Sequence, residues 1–331
     1  MGRVVGIAGA SGALGQEIVT VLQGAPWTVD RIVPYARAQS ATPFVEFRGE
    51  KVAVDDLATA SFDELDVLIV ALPVDRAAAT VAAAVAAGIP VVDLSGSQFE
   101  DLTVPLVLTW LNEGELDRPR MRDVVAVPGS VATLVSSVVG PLAAAGARGP
   151  VSVSAMLPAS AWGRDGVDEL SKQVVAMFNS ATPPRKVFEQ GLAFDILPQV
   201  GNAAASGWTA PELRAMTEVA RLTGLRSDVS MVAVPVFSGL SAEISVGVPA
   251  DWDTDRVVRV LSAAGVTVAT GTRKIPRPRR IDGQPFVHVG RVRQVPGSDT
   301  VRIWAVMDNL RGIATAAVGL AGRVSRGPDE D

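Results

Sequence analysis

The sequence predicts an α/β protein in which an N-terminal Rossmann-type doubly wound sheet is followed by an α+β domain with a largely antiparallel sheet. Three observations carry that prediction. A glycine-rich turn lies between an apolar β-rich run and a helical pattern at residues 3–24. Apolar strands then alternate with helices as far as about residue 128, and from about Val151 the pattern changes to longer β-rich stretches. At 331 residues the chain is long for one ordinary core and reads as two domains.

The first segment, "RVVGIAGASGALGQEIVTVLQG", sets an apolar run before Gly9-x-x-Gly12-x-x-Gly15 and a helical pattern in Ile18, Val19 and Leu22. A strand, a tight turn and a helix in that order aim free N–H groups and the positive end of the helix dipole at a phosphate, and glycines let the backbone come close. Gly9, Ser11, Gly12, Ala13, Leu14 and Gly15 are therefore the candidate cofactor contacts of the turn. A second strand, "VDRIVPYARA", follows at βαβ spacing. Where an NAD site offers an acid to the ribose 2′-hydroxyl, this stretch offers Arg37, which suits the 2′-phosphate of NADP and also reads as an ordinary exposed arginine. "DVLIVALP", the alanine-rich "RAAATVAAAVAAG" and "PVVDLSG" continue the alternation.

In the second domain "VSVSAML", "SMVAVPVF", "SAEISVGV" and "VRIWAVM" are separated by helices such as "TAPELRAMTEVARLTG". "DNLRGIATAAVGLAG" forms a final amphipathic helix with Asp308 or Asn309 as its N-cap. The expected boundaries are 1–128 for the nucleotide domain, completed by the returning helix 308–323, then 129–307 for the second domain and 324–331 for a frayed tail.

A net charge of −5 argues against a nucleic-acid partner, which needs clustered cations. The one basic run, "RKIPRPRR" at Arg273–Arg280, is broken by prolines and reads as a solvated loop. With no cysteine there are no disulfides, thiolate metal sites or cysteine nucleophiles, and no metal is expected. No uninterrupted apolar run is long enough to span a bilayer, so no membrane partner is expected and the cytoplasm is the expected location.

"AVPGSVATLV" places Ser130 at a strand-to-helix corner that commonly presents a nucleophile. An alcohol there needs an oriented base, and the sequence names none. Serine is also a favoured N-cap, here for a helix beginning at Val131. The single histidine, His288 in "PFVHVGRVR", shares a strand face with Phe286 and reads as a sheet or interface residue.

Taken together, "GASGALGQE" (9–17), "YARA" (35–38), "VDLSG" (92–96), "VPGS" (127–130), "GRDGVDEL" (163–170), "ASGWTAPELR" (205–214), "VPVFSGLSAEI" (234–244) and "DNLRGIA" (308–314) resemble the aspartate-semialdehyde dehydrogenase family over almost the whole chain. The resemblance implies a Rossmann domain, a dimerisation domain holding the active centre, NADP as cofactor with Asn309 among its contacts, and a homodimer paired through apolar sheet stretches of the second domain. In the family a cysteine thiolate attacks the aldehyde, a histidine acts as base, hydride passes to the nicotinamide and phosphate releases the acyl group.

This sequence departs from that pattern at each step. Ser130 stands at the nucleophile position and Leu240 at the base position. Leu157 replaces the glutamine that positions the reacting centre, Ala233 the arginine that clamps the substrate carboxylate, and Glu100 the phosphate-binding arginine. Only Arg214, where the family has a substrate-contacting lysine, keeps the chemical kind. The chain is similar in this to the Usg-like branch, which keeps the fold without the catalytic residues. The sequence thus reads as a non-catalytic homodimeric homologue that retains NADP and acts by binding a small molecule or protein partner. The alternatives are an NADP-dependent oxidoreductase on another substrate and a dimeric scaffold without nucleotide. The apolar replacements favour any pocket ligand being less anionic than an acyl phosphate.

Overall fold

A computed structural model describes residues 2–38, 43–117, 123–271 and 274–325. The chain divides into two compact units, one of Met1–Gly129 with Ile313–Asp331 and one of Ser130–Gly312.

In the first unit β1 (Arg3–Ala8), α1 (Ala13–Leu22) and β2 (Val29–Ala36) form the opening βαβ element. A small hairpin, β3 (Phe44–Phe47) with β4 (Glu50–Ala53), precedes the short β5 (Asp55–Asp56). Then come β6 (Val67–Val70), α2 (Val74–Ala86), β7 (Val91–Asp93), α3 (Thr109–Asn112) and β8 (Val124–Ala126). The sheet runs β5-β2-β1-β6-β7-β8 with every pairing parallel. Strands β6, β7 and β8 are apolar at nearly every position because both faces are covered, and all of their residues are buried. The chain builds outward from β1 through β2 to β5 and then returns to β6 on the other side of β1. That reversal opens a crevice at the carboxyl ends of β1 and β6, the usual place for a ligand in such sheets.

The second unit contains α4 (Ser130–Ala144), β9 (Val151–Leu157), α5 (Gly163–Phe178), α6 (Ala210–Thr223), β10 (Ser227–Ala233), β11 (Leu240–Gly247) and α7 (Thr254–Ala263). It continues with β12 (Thr267–Val268), α8 (Pro278–Ile281), β13 (His288–Gln294), β14 (Thr300–Met307) and the start of α9 (Asn309–Val324). Its sheet runs β10-β9-β11-β14-β13-β12. The central pairings are antiparallel, and the outer ones, β10 with β9 and β12 with β13, are parallel.

Period-two alternation sorts the side chains of this sheet by face. Val151, Val153 and Ala155 of β9 are buried, while Ser152 and Ser154 between them are exposed. Helices α4, α6 and α7 cover the apolar face. The apolar sheet stretches expected to pair between subunits are therefore buried within one chain, under its own helices. The open face carries Ser152, Ser154, Asp228, Ser230 and Arg302. Helix α6 starts from a capping box of Thr209 and Glu212 and stops at Gly224, whose φ of 72° suits a residue without Cβ.

Asp308 caps α9, accepting the N–H groups of Leu310 and Arg311 at 3.1 and 3.0 Å on one carboxylate oxygen. The helix continues to Val324 and Ser325 is buried, so the frayed tail does not begin at 324; residues 326–331 lie outside the described residues. Trp27 holds α9 within the first unit, its Nε1 donating to Val318 O at 3.2 Å.

Candidate functional site

In the first unit, two glycines of the turn have no room for a side chain. A Cβ on Gly9, whose φ is +93°, would lie 2.5 Å from Ala71 O, and one on Gly15 would lie 2.2 Å from Gly9 O. These residues let α1 sit down on the end of β1. Gly12 differs, because its φ of −76° is ordinary and a Cβ there would meet only Gly9 O, at 3.4 Å. It is exposed at the N-cap of α1, so its lack of a side chain keeps the approach to the helix end open.

The first main-chain acceptor inside the helix is Gly12 O, taken by Gln16 N at 3.0 Å. The N–H groups of Ala13, Leu14 and Gly15 precede it and have no intrahelical acceptor. The first turn holds no acid to compete for them. The N–H groups of Gly9 and Ala10 both donate to Tyr35 O, at 2.9 and 3.1 Å, and clasp the turn to the end of β2. Arg37, exposed, follows two residues beyond that clasp. Ser11 is half-buried in the turn, and Glu100 is exposed in the segment after β7.

Sequence reasoning missed the network beside Glu100. Asp93, fully buried at the end of β7, accepts Ser95 N at 2.9 Å and Ser95 Oγ at 2.6 Å on Oδ1, and Ser97 Oγ at 3.1 Å on Oδ2. The signal for it was the Asp-x-Ser-x-Ser spacing just after a strand, a pattern of local side-chain to main-chain bonding.

In the second unit, Ser130 is the first residue of α4, half-buried, and its hydroxyl forms no hydrogen bond among the described residues. The helix starts one residue earlier than expected, so Gly129 occupies the cap position and Ser130 does not cap. Leu157 and Ala233 face each other as register partners on β9 and β10, with Val234 N donating to Leu157 O at 3.0 Å. Leu240 opens β11 and is 1% exposed. Three positions that the resemblance assigns to catalysis and substrate binding are thus filled by buried side chains with no proton to exchange and no charge to offer.

Asn309, expected at the cofactor, has a local structural engagement. Its Oδ1 accepts Ser160 Oγ at 3.0 Å and Gly239 N at 3.3 Å. The bond to Gly239 fixes the backbone immediately before Leu240. Arg214 Nε donates to Glu218 Oε1 at 2.7 Å, one turn along α6, and that glutamate is 1% exposed. The one cation kept in kind is thereby matched by a buried acid of its own helix. Burial lowers the pKa of the His288 imidazole from its ordinary value. No cluster of potential metal ligands occurs among the described residues, and no described helix is long and apolar enough to cross a membrane.

Residues 4–118 match the description "Semialdehyde dehydrogenase, NAD binding domain", and residues 139–312 match "Semialdehyde dehydrogenase, dimerisation domain". The chain belongs to the semialdehyde dehydrogenase family. It is 31% identical over 320 residues to the USG-1 protein homolog of Pseudomonas aeruginosa, covering 95% of each chain, a likeness that supports the Usg-like branch. It is 27% identical over 323 residues to aspartate-semialdehyde dehydrogenase 2 of Vibrio cholerae, covering 96% of each. The structure of aspartate semialdehyde dehydrogenase II from Vibrio cholerae, complexed with ASA, superposes with a TM-score of 0.92 at 26% identity over 97% of this chain and 98% of that one. In this semialdehyde dehydrogenase homologue the glycine turn and Arg37 fall in the NAD binding domain. Leu157, Arg214, Ala233, Leu240 and Asn309 fall in the dimerisation domain, whose presence in the family supports a homodimer.

Proposed function

We propose that this semialdehyde dehydrogenase homologue is a homodimeric NADP-binding protein that does not carry out aldehyde oxidation. The observation that carries the reading is Leu240, 1% exposed at the head of β11 where the resemblance requires a base. A positioned general base contributes about 10²–10⁴-fold to such a rate. Ser130 has no hydrogen-bonded partner to replace it among the described residues, and Ala233 offers no counter-charge to an anionic substrate.

The residues of the first unit fit a dinucleotide. Amides of Ala13, Leu14 and Gly15 would hold the pyrophosphate, and Arg37 the 2′-phosphate that distinguishes NADP from NAD. NADP, when bound, supplies a hydride acceptor; this chain contributes binding and orientation, with no group placed to generate the hydride donor.

The homodimer uses the apolar surface at the end of α5. Phe178 and Phe194, 78% and 63% exposed, stack edge to face at 5.9 Å, and Val175 and Ile196 are exposed as well. Exposed apolar patches of this kind mark contact surfaces.

Calorimetric titration with NADP and NAD tests the reading. Expected is binding of NADP that weakens in Arg37→Ala, with no NADPH formed on adding aspartate semialdehyde together with inorganic phosphate as acyl acceptor. Progressive NADPH formation would overturn it in favour of a working oxidoreductase, and absence of heat with both nucleotides would favour a scaffold.

A further inference from the structure

Arg273, at the start of the basic run, lies outside the described residues. Lys274 and Arg280 of the same run border a cleft of about 750 Å³ lined by described residues between Thr267 and Val289, at the β12 edge of the second unit's sheet. A volume of that order is typical of small-molecule sites. Lys274 and Arg280 line it, both exposed, and neither forms an ion pair among the described residues. None of the residues lining the cleft is acidic. In a chain of net charge −5, an acid-free cleft flanked by two uncompensated cations attracts anions against the sign of the whole molecule.

The remaining walls define the rest of the ligand. Val268, Ile275 and Ile281 give the cleft an apolar side suited to a ring or hydrocarbon body. His288 also lines it, and its Nε2 is a buried polar atom with no hydrogen-bond partner among the described residues. A buried ring nitrogen of this sort gains from a ligand oxygen. Arg280 brings a planar fork that can take two oxygens at once, and Lys274 a mobile point charge. Two cations suit one dianionic group and are too few for the extended phosphate run of a nucleic acid.

We propose that this cleft is a binding site for a small organic phosphate monoester, in which Lys274 and Arg280 hold the phosphate and the apolar wall beside His288 receives the organic body. The site lies wholly within the second unit and is independent of NADP.

His288 is the only histidine, so its ring resonances report on the cleft in the intact protein. The full chain is titrated with phenyl phosphate, with inorganic phosphate and with benzyl alcohol while the histidine ring signals are followed by NMR. The expected result is a saturable shift with phenyl phosphate, a weaker affinity for inorganic phosphate and no saturable shift with the alcohol. The double substitution Lys274→Ala with Arg280→Ala weakens phenyl phosphate binding about tenfold or more, as loss of charge-assisted contacts requires. Lys274→Gln alone gives a smaller weakening in the same direction, and Arg37→Ala none. Absence of a saturable shift, an equal response to benzyl alcohol, or unaltered affinity in either cleft variant would overturn the site, as would its loss in Arg37→Ala.

Discussion

The hydroxyl of Ser160 donates to the side-chain carbonyl of Asn309 at 3.0 Å, across 149 residues of sequence. The same oxygen accepts Gly239 N, and Asn309 is 5% exposed. One amide thus joins the turn after β9, the approach to β11 and the first residue of α9. These are the segments around the positions that the resemblance assigns to catalysis, held in place by one side chain.

Replacement of Asn309 by alanine leaves two donors short of their acceptor in a buried place. Each such loss costs about 1–3 kcal/mol. Urea unfolding of Asn309→Ala is expected to show a lower midpoint with an unchanged slope, and a midpoint equal to that of the parent protein would show that the bond is dispensable.

Introducing the family's nucleophile and base at the two positions the resemblance assigns to them is not expected to be enough for the family's reaction. In the double variant Ser130→Cys with Leu240→His, Ala233 still offers no clamp and Glu100 still carries the wrong charge. The new imidazole also enters a position that is 1% exposed, where an unpaired polar group costs about 1–3 kcal/mol. NADPH formation from aspartate semialdehyde and inorganic phosphate is expected to stay at background while the melting temperature falls. Substantial turnover would mean that nucleophile and base suffice.

Gly12 and Gly15 separate nucleotide binding from folding. Gly15→Ala sets a Cβ 2.2 Å from Gly9 O and must push α1 off the end of β1, so both stability and nucleotide affinity are expected to fall. Gly12→Val meets only Gly9 O, at 3.4 Å from the first added atom, and its backbone angles are open to any residue. A valine at this N-cap is less favourable than glycine by about 1 kcal/mol, a smaller loss than that expected at Gly15, while nucleotide affinity is expected to drop. Paired denaturation and calorimetry on the two variants check this, and equal stability losses would contradict the division of roles.

The glycine turn was legible because its demands are local: a positive φ at Gly9 and close packing at Gly15 require glycine whatever surrounds them. The parallel sheet followed from alternation with helices, and Asp308 was one of the two caps anticipated for α9. The parallel pairings at both edges of the second sheet were hidden. A strand's composition does not state its neighbour's direction, and β9 reaches β10 only through the long connection containing α5 and α6. Asn309 shows the same limit at a site: its bonds to Ser160 and Gly239 bridge distant segments, so no motif announces them. Alternation likewise located the apolar residues of the second sheet but not what covers them, which proved to be helices of the same chain.

Glu169 anchors the chain that leads to the proposed dimer surface. It is 5% exposed on α5 and accepts the N–H groups of Lys186 and Val187 on Oε2, at 2.8 and 2.9 Å, and of Phe188 on Oε1 at 2.9 Å. Burial alone would raise its pKa, but the hydrogen bonds from Phe188, Val187, Lys186 and Gln173 prevail and hold it below 4.5. A carboxylate depressed on folding contributes stability that is complete above the unfolded value and is lost as pH falls through the folded one. The loss therefore falls below pH 4.5. Gln173, on the next turn of α5, accepts Leu192 N and Ala193 N and so holds the chain just before Phe194. Glu169→Gln turns an amide NH₂ toward main-chain donors, costing about 1–3 kcal/mol and freeing the segment that carries half of the Phe178–Phe194 stack. Sedimentation of Glu169→Gln at neutral pH is expected to show a weakened dimer, and its stability curve to have a shallower acid-side slope than the parent's. A variant that retains the parent's dimer affinity would place the subunit contact elsewhere on the second unit.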